Sequence, residues 1–422
     1  SAQVVRALDL RGAGRGIIFC PAAVREHWLS EFRQFEMQRR RVVKGVSIHD
    51  YVAWSRGRFD VLVTSYEMGA AWAPYIHELT EPLQFCVFDE GHFLKNDAAK
   101  RSAALLGPHA DGIKGVLQWA EAGWWLTGTP IPNDPIDIFT FLRFTGAMPL
   151  QKPAFSKRYM HVRYQTYGTR QAVKPELQGE LRQFIAANSI CRTLAEIAPQ
   201  LPPMRISAAW VDGDDDQVRD MLLQHPGLDK LIIEALTSGS KLSSLDAPHI
   251  ATLRRIIGEA KALPYAHMLT GELQGGLDKM VVLAHHRSVL QTVQDVLTKH
   301  GIRSGIVYGG VEEKERVAIQ HSFASDPGFQ VLLANIRSGG AGLSLVASAH
   351  LDMLEGDWAP GNNYQAIHRI RRITQIRSQL VRFVGLANSF DVQVNKIIAD
   401  KTREIAALDS AEHSDMEERL LT

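Results

Sequence analysis

Cysteine is scarce. The 422 residues hold three, Cys20, Cys86 and Cys191, far apart and odd in number. That excludes a disulfide framework and a cysteine-clustered zinc site, and it fits a reducing compartment. No apolar run approaches the ~18 residues of a membrane-crossing helix, and no signal-peptide pattern opens the chain. An excess of one charge is also missing. With 47 Lys+Arg against 46 Asp+Glu the net charge is +1, which excludes a global polycation. Any nucleic-acid contact must come from a local positive stripe. Low-complexity runs are absent and 22% of residues are charged, so wholesale disorder is excluded.

Two apparent metal signals fail on spacing. The acidic run Asp212-Gly213-Asp214-Asp215-Asp216 lacks the EF-hand pattern and reads as a solvated turn capping the next helix. His285 and His286 are consecutive on a predicted strand, so they point to opposite faces and do not easily share one ion.

What is present is a chain that is 45% hydrophobic and long enough for two to three domains. In its first third, short continuous apolar runs alternate with helical patterns. The runs 17–20, 60–64, 84–88 and 124–127 are predicted strands, with an amphipathic helix on Val24, Trp28, Leu29, Phe32 and Phe35. Apolar strands separated by helices imply a parallel sheet covered on both faces, with ligands at the C-terminal strand ends. Residues from about 149 to 271 read as mostly helical, with loops at Tyr167-Gly168 and Pro202-Pro203. From Lys279 the alternation returns, with strands over 280–285, 303–307, 330–335, 349–354 and 381–386 and a helix over 288–299. A last helical segment covers about 390–418. The fold class is α/β, with two parallel-sheet lobes joined by a helical region.

Four constellations carry chemistry. The strand Phe85-Cys86-Val87-Phe88 ends in Asp89-Glu90-Gly91-His92. Adjacent carboxylates repel and are costly to desolvate, so the pair suits a cation or a proton-transfer task, or else caps the next helix. Trp124-Trp125-Leu126 runs into Thr127-Gly128-Thr129-Pro130, where two hydroxyls can meet a carboxylate or phosphate, or simply close a turn. Ser338-Gly339-Gly340-Ala341-Gly342 presents bare backbone N–H groups that suit phosphates or a tight turn. In Gln365–Gln375, Arg369 and Arg372 sit three apart on a predicted helix. They share its face with Gln365 and form either an anion site or a solvated basic face. The Arg39-Arg40-Arg41 cluster reads as a solvated face that could add to a phosphate track, and the tryptophans read as core.

Together, in this order, the four resemble the helicase-like ATPases of superfamily two, specifically the Swi/Snf family. Supporting matches are Ile18-Phe19-Cys20-Pro21 with Trp28 and Glu31, Val63-Thr64-Ser65-Tyr66-Glu67, Lys95-Asn96, and Leu201-Pro202-Pro203. Leu283-Ala284-His285-His286 and Trp358-Ala359-Pro360-Gly361 look most like the HepA-related, annealing-helicase branch. The resemblance implies a P-loop NTPase fold of two RecA-like lobes: 1–148 the first, 149–272 a mainly helical linker, 273–405 the second and 406–422 a helical tail.

By the same resemblance, ATP and Mg²⁺ are the cofactors and duplex DNA is the partner, held by its backbone and not by sequence. Asp89 and Ser1 are implied to hold the metal, and Glu90 to polarise the attacking water. Arg369 and Arg372 would act as arginine fingers. Thr127, Thr129 and Gln375 are implied nucleotide contacts. Thr64, Ser65, Tyr66, Ser338, Gly339 and Gly340 are implied to touch DNA phosphates. The function implied is ATP-driven translocation on duplex DNA, in the cytoplasm or, in a eukaryote, the nucleus. A non-hydrolysing DNA-binding scaffold and an RNA- or polymerase-associated motor are the alternatives.

Two departures stand out. No G-x-G-K-[ST] loop occurs in these residues, and Ser1-Ala2-Gln3 resembles the residues directly after that loop's lysine. The expectation is a chain starting just after it, unable by itself to hydrolyse ATP efficiently. Ile367, His368 and Arg371 also differ from the family's usual acidic residues and histidine.

Overall fold

The computed structural model describes residues 1–97, 99–107, 115–128, 135–146, 148–165, 168–190, 192, 194–213, 215–238, 247–336, 345–358 and 360–408. Thirteen strands run through them. They are β1 Gly16–Cys20, β2 Val42–Gly45, β3 Val61–Ser65, β4 Phe85–Asp89, β5 Gly123–Leu126, β6 Met160–Gln165, β7 Gly168–Val173, β8 Met204–Val211, β9 Met280–Ala284, β10 Arg303–Val307, β11 Phe329–Asn335, β12 His350–Met353 and β13 Gln379–Leu386. The contacts divide the described residues into two compact units, 1–161 with 171–190, and 162–170 with 192–408.

The first unit is built on a sheet of order β2-β3-β1-β4-β5, with every pair parallel. Its strands are short and apolar because both faces are covered. Alternate residues serve the two faces: Ile17, Phe19, Leu62, Cys86 and Phe88 belong to one core, and Ile18, Cys20, Val61, Val63, Phe85 and Val87 to the other. Helices Ala2–Arg11 and Arg25–Phe35 cover the second face through Val4, Val5, Leu8, Trp28 and Phe32. A smaller core on Phe139, Leu142, Phe155, Tyr159 and Leu181 joins helices Ile138–Phe144, Lys152–Tyr159 and Gln178–Asn188.

The second unit holds a six-stranded sheet of order β10-β11-β9-β12-β13-β8, again with every pair parallel. The region expected to be mostly helical therefore also carries strands. β6 and β7 form a two-stranded sheet, and Gly168, predicted to lie in a loop, is the first residue of β7, while Tyr167 lies outside the described residues. β8 pairs with β13 along its full length, Met204 with Gln379 through Val211 with Leu386. Only Ile206 and Val211 of β8 are buried, so an edge strand with one half-open face shows no continuous apolar run to read. The long helix Ala247–Gln274 is pinned to this sheet by ions as well as apolar contacts. Arg382 of β13 donates to Asp352 of β12 (2.8 and 2.7 Å) and to Glu272 of the helix (2.6 and 2.7 Å), and Tyr265 Oη donates to Asp352 at 2.8 Å. No described helix is long and apolar enough to cross a membrane.

Candidate nucleotide and nucleic-acid site

Parallel pairing sets the geometry of the first unit's reactive edge. Phe19 of β1 is level with Thr64 of β3 and Phe88 of β4, and Asp89 of β4 is level with Leu126 of β5. The C-terminal strand ends therefore line up Cys20, Ser65, Asp89-Glu90 and Thr127 along one rim. This is where an open α/β sheet presents polar groups to a ligand.

Asp89 is built into this rim by two aromatic donors. Trp28, fully buried in the helix Arg25–Phe35, donates its indole N–H to Asp89 Oδ2 at 2.8 Å. Tyr66 Oη donates to the Asp89 carbonyl at 2.6 Å. Burial pushes the Asp89 carboxyl above its ordinary range, only partly offset by the Trp28 bond. An anion this poorly solvated is stabilised by a nearby cation.

Glu90 follows with φ +53° and ψ +51°, a left-handed conformation unusual for a glutamate. Such a residue costs on the order of 1–3 kcal/mol and persists where the surroundings over-determine it. Here the next residue, Gly91, has no room for a side chain, because a Cβ would enter the Trp125 ring. Glu90 Oε2 is buried without a committed hydrogen bond. Its neighbour is His92 Nδ1 at 3.2 Å, and the same nitrogen lies 3.2 Å from Thr127 Oγ1. One ring nitrogen cannot serve both at once, so His92 is a two-way contact between the acid pair and the turn after β5.

Other predicted residues are placed differently. Thr64, Ser65 and Tyr66 are buried. Thr64 Oγ1 donates to the Gly45 carbonyl at 3.2 Å, Ser65 Oγ caps the helix Tyr66–Ile76 by accepting from Met68 N–H at 3.3 Å, and Tyr66 serves Asp89. These side chains are engaged within the protein, which leaves the backbone of this turn as its available polar surface. The Ser1 hydroxyl donates to Glu31 at 2.8 Å and lies 3.1 Å from His27 Nε2. Arg40 is no solvated cation. It is buried and donates to Asp9, Glu36, Gln38 and the carbonyls of Leu8 and Ala13, while Arg41 pairs with Asp60. Thr129, Ser338, Gly339 and Gly340 lie outside the described residues.

The basic run of the second unit is not one helix. The helix Pro360–Ile367 stops before Arg369, which lies in the following turn, and Arg372 stands in irregular backbone. The Arg369 carbonyl accepts from Leu345 N–H at 3.0 Å, and Ile370 N–H reaches back only three residues. Burying Ile370 and Gln375 breaks the helical spacing. Gln375 is also corrected. Its amide nitrogen donates to the carbonyls of Val346, Ser348 and Ile370 at 3.0–3.2 Å, so it holds the loop from inside and is not presented to a nucleotide.

Sequence alone places Trp28 in the core and gives His92 no part. A tryptophan three residues before Glu31 on the helix after β1 is the available signal for the first. His92 can be found only by knowing that β4 and β5 are neighbours.

Mg²⁺ takes oxygen ligands and keeps much of its water, so few protein donors suffice. Among the described residues no group of three or more metal-ligating side chains occurs. The half-buried Asp89 carboxylate beside the uncommitted Glu90 oxygen fits such a cation.

Two parallel sheets, each covered by helices, with paired acids on the C-terminal rim of one, make a helicase-like core of two RecA-like lobes. The pattern of the SNF2-related domain matches residues 10–221, and that of the helicase conserved C-terminal domain matches residues 265–374. The chain belongs to the SNF2-related family. It is similar to the mouse (Mus musculus) DNA annealing helicase and endonuclease ZRANB3, 26% identical over 89% of this chain and 35% of the relative. It is also similar to the yeast (Saccharomyces cerevisiae) DNA repair and recombination protein RDH54, 24% identical over 84% of this chain and 42% of the relative. Among solved structures, the Sulfolobus solfataricus SWI2/SNF2 ATPase core in complex with dsDNA aligns over 98% of this chain and 86% of that one, at 16% identity and a TM-score of 0.38. The chain spans about a third of the length of the curated relatives it matches.

Proposed function

We propose that this chain is the motor core of an ATP-dependent translocase on duplex DNA. The observation that carries the reading is the Asp89-Glu90 pair: one acid half-buried and steered by Trp28, the other strained and within reach of His92, which also meets Thr127. Family membership and relatives named for DNA annealing, repair and recombination support it.

In this reading Asp89 holds Mg²⁺, which would neutralise phosphate charge when bound, and Ser1 is a second candidate ligand. Glu90 orients and polarises the attacking water. Its rigid, strained backbone keeps the carboxylate aimed before substrate arrives. His92 shifts between Glu90 and Thr127 and so relays the state of the γ-phosphate to the turn after β5, with Thr129 as a further candidate contact. Arg369 and Arg372 are proposed to stabilise charge on the transferred phosphoryl group, a role worth about 10³–10⁵ in rate where it is known. Ser338, Gly339 and Gly340 are proposed backbone-phosphate contacts. Contacts of that kind carry position without sequence, so binding should weaken steeply with salt.

The test is ATP hydrolysis with duplex DNA, single strands and RNA. Because these residues contain no G-x-G-K-[ST] loop, it is run on the chain alone and on a polypeptide carrying that loop ahead of Ser1. Stimulation by duplex DNA in the second and weak turnover in the first are expected. Hydrolysis in neither would favour a non-hydrolysing scaffold, and stimulation by RNA alone would favour an RNA motor. A Glu90→Gln variant that turns over normally would remove the role given to Glu90.

A further inference from the structure

His285-His286 is a motif that the proposed chemistry leaves unused, and the structure gives each ring its own carboxylate. Glu355, two residues past β12, is almost wholly buried, with a side chain 2% exposed. Its Oε2 accepts from the backbone N–H groups of both His285 (2.9 Å) and His286 (2.8 Å), and its Oε1 lies 2.7 Å from His286 Nδ1. Burial alone would raise this carboxyl, but the His286 bonds outweigh it and hold it below the ordinary range. His285 Nε2 lies 3.5 Å from Asp357. The same short stretch is gripped from the other side, where Asn335 Nδ2 donates to the His285 carbonyl and Ile336 N–H to the Ala284 carbonyl at 2.9 Å.

Three strand ends therefore meet on His285-His286: β9 directly, β11 through Asn335 and Ile336, and β12 through Glu355 and Asp357. The chain leaving β11 leads into Ser338-Gly339-Gly340. The chain leaving β12 leads through Asp357 and the helix Pro360–Ile367 into Arg369. The helix Ala247–Gln274 makes room for the carboxylate, because Gly258 faces Glu355 and a Cβ there would collide with Oε1.

We infer that Glu355 is a positioning residue: by holding His285 and His286 at the end of β9 it sets the placement of the segment that follows β12, and through it the response of hydrolysis to DNA. The second half of this inference rests on the function proposed above. A carboxylate with two backbone donors and a ring donor over-determines the turn, which a single contact would not.

The experiment reads position and activity separately, in the polypeptide carrying the phosphate loop. Hydrogen exchange of peptides covering 284–288, 331–336 and 360–372 is compared with that of β10 in wild type, Glu355→Gln and Glu355→Ala. Glu355→Ala should speed exchange at least tenfold in the first three and leave β10 within twofold, and Glu355→Gln, which keeps an acceptor for the N–H groups, should lie between. The duplex-DNA concentration giving half-maximal ATPase should rise at least fivefold in Glu355→Ala, an effect that a lower folded fraction alone does not produce.

If Glu355→Ala does not fold, His286→Leu and His286→Asn decide. His286 is partly exposed and tolerates change, and asparagine keeps a donor near the Nδ1 position. His286→Leu should show both effects and His286→Asn neither. Unchanged exchange in Glu355→Ala, or equal behaviour of the two His286 variants, overturns the inference. If wild type is not stimulated by duplex DNA while exchange responds as expected, the functional reading fails and the positioning role stands.

Discussion

Arg382→Ala is the most telling stability experiment. Arg382 is the shared partner of Asp352, whose side chain is 1% exposed, and of Glu272 at the end of the long helix. Burial already pushes the Asp352 carboxyl above its usual range, and the Arg382 bonds are the main opposing influence. Removing the guanidinium leaves a carboxylate between β9 and β13 to which, among the described residues, Tyr265 still donates. Stranding one member of a buried pair costs about 3–5 kcal/mol. With a urea slope of about 2 kcal/mol per molar, the midpoint should fall by about 2 M. Pulse hydrogen exchange on β12 and β13 peptides across a urea series follows this unit separately from the first.

The pH dependence has a definite sign. A carboxyl whose folded pKa is raised is favoured by folding when protonated, so its contribution falls as pH rises through the folded pKa. The variant should therefore be much weaker than wild type at neutral pH and close to it near the ordinary carboxylate range, about pH 4. Adding Asp352→Asn should recover more than about 1 kcal/mol, because the stranded charge is then gone. If the double variant is no more stable than Arg382→Ala, or if the deficit does not shrink in acid, the cost is lost packing and the electrostatic reasoning is wrong.

Three further outcomes are expected. Trp28→Phe keeps the packing but removes the donor to Asp89, so the Mg²⁺ concentration for half-maximal nucleotide hydrolysis should rise several-fold with little change in melting temperature, as read by metal titration and calorimetry. Asp89→Asn should stabilise the first unit at neutral pH and have little effect near pH 4, because the raised Asp89 carboxyl favours the folded state only while protonated; equal stabilisation at both pH values would contradict its burial. Arg40→Ala removes a buried cation from Asp9, which keeps Arg6 and the Met37 N–H, and from Glu36, which keeps the N–H of residue 40, and should cost about 1.5–3 kcal/mol, whereas Arg39→Ala should change stability by less than about 0.5 kcal/mol, measured by denaturant unfolding of each.

The alternation of continuous apolar runs with amphipathic helices is enough to read two parallel α/β units, because a strand buried on both faces has little choice but to be apolar throughout. It also locates Asp89-Glu90 at a C-terminal strand end, since polar residues interrupt such runs where the sheet meets its ligand edge. β8 escapes because an edge strand needs only one good face. The Gln365–Gln375 run misleads because its spacing is helical while the burial of Ile370 and Gln375 is not a local property. Thr64, Ser65, Tyr66 and Arg40 show the same limit. A hydroxyl or guanidinium looks available in a sequence, and only neighbours brought in from other strands and helices decide that it is used up inside.

Composition and periodicity act through residues a few positions apart, and they determined the class of fold, the order of its elements and the rim where the acids stand. Which nitrogen faces Asp89, which carboxylate grips His285 and His286, and which cation neutralises Asp352 depend on groups separated by tens of residues. Pairing of that kind is settled only when the strands take their places in the sheet, and so it was decided by the tertiary structure.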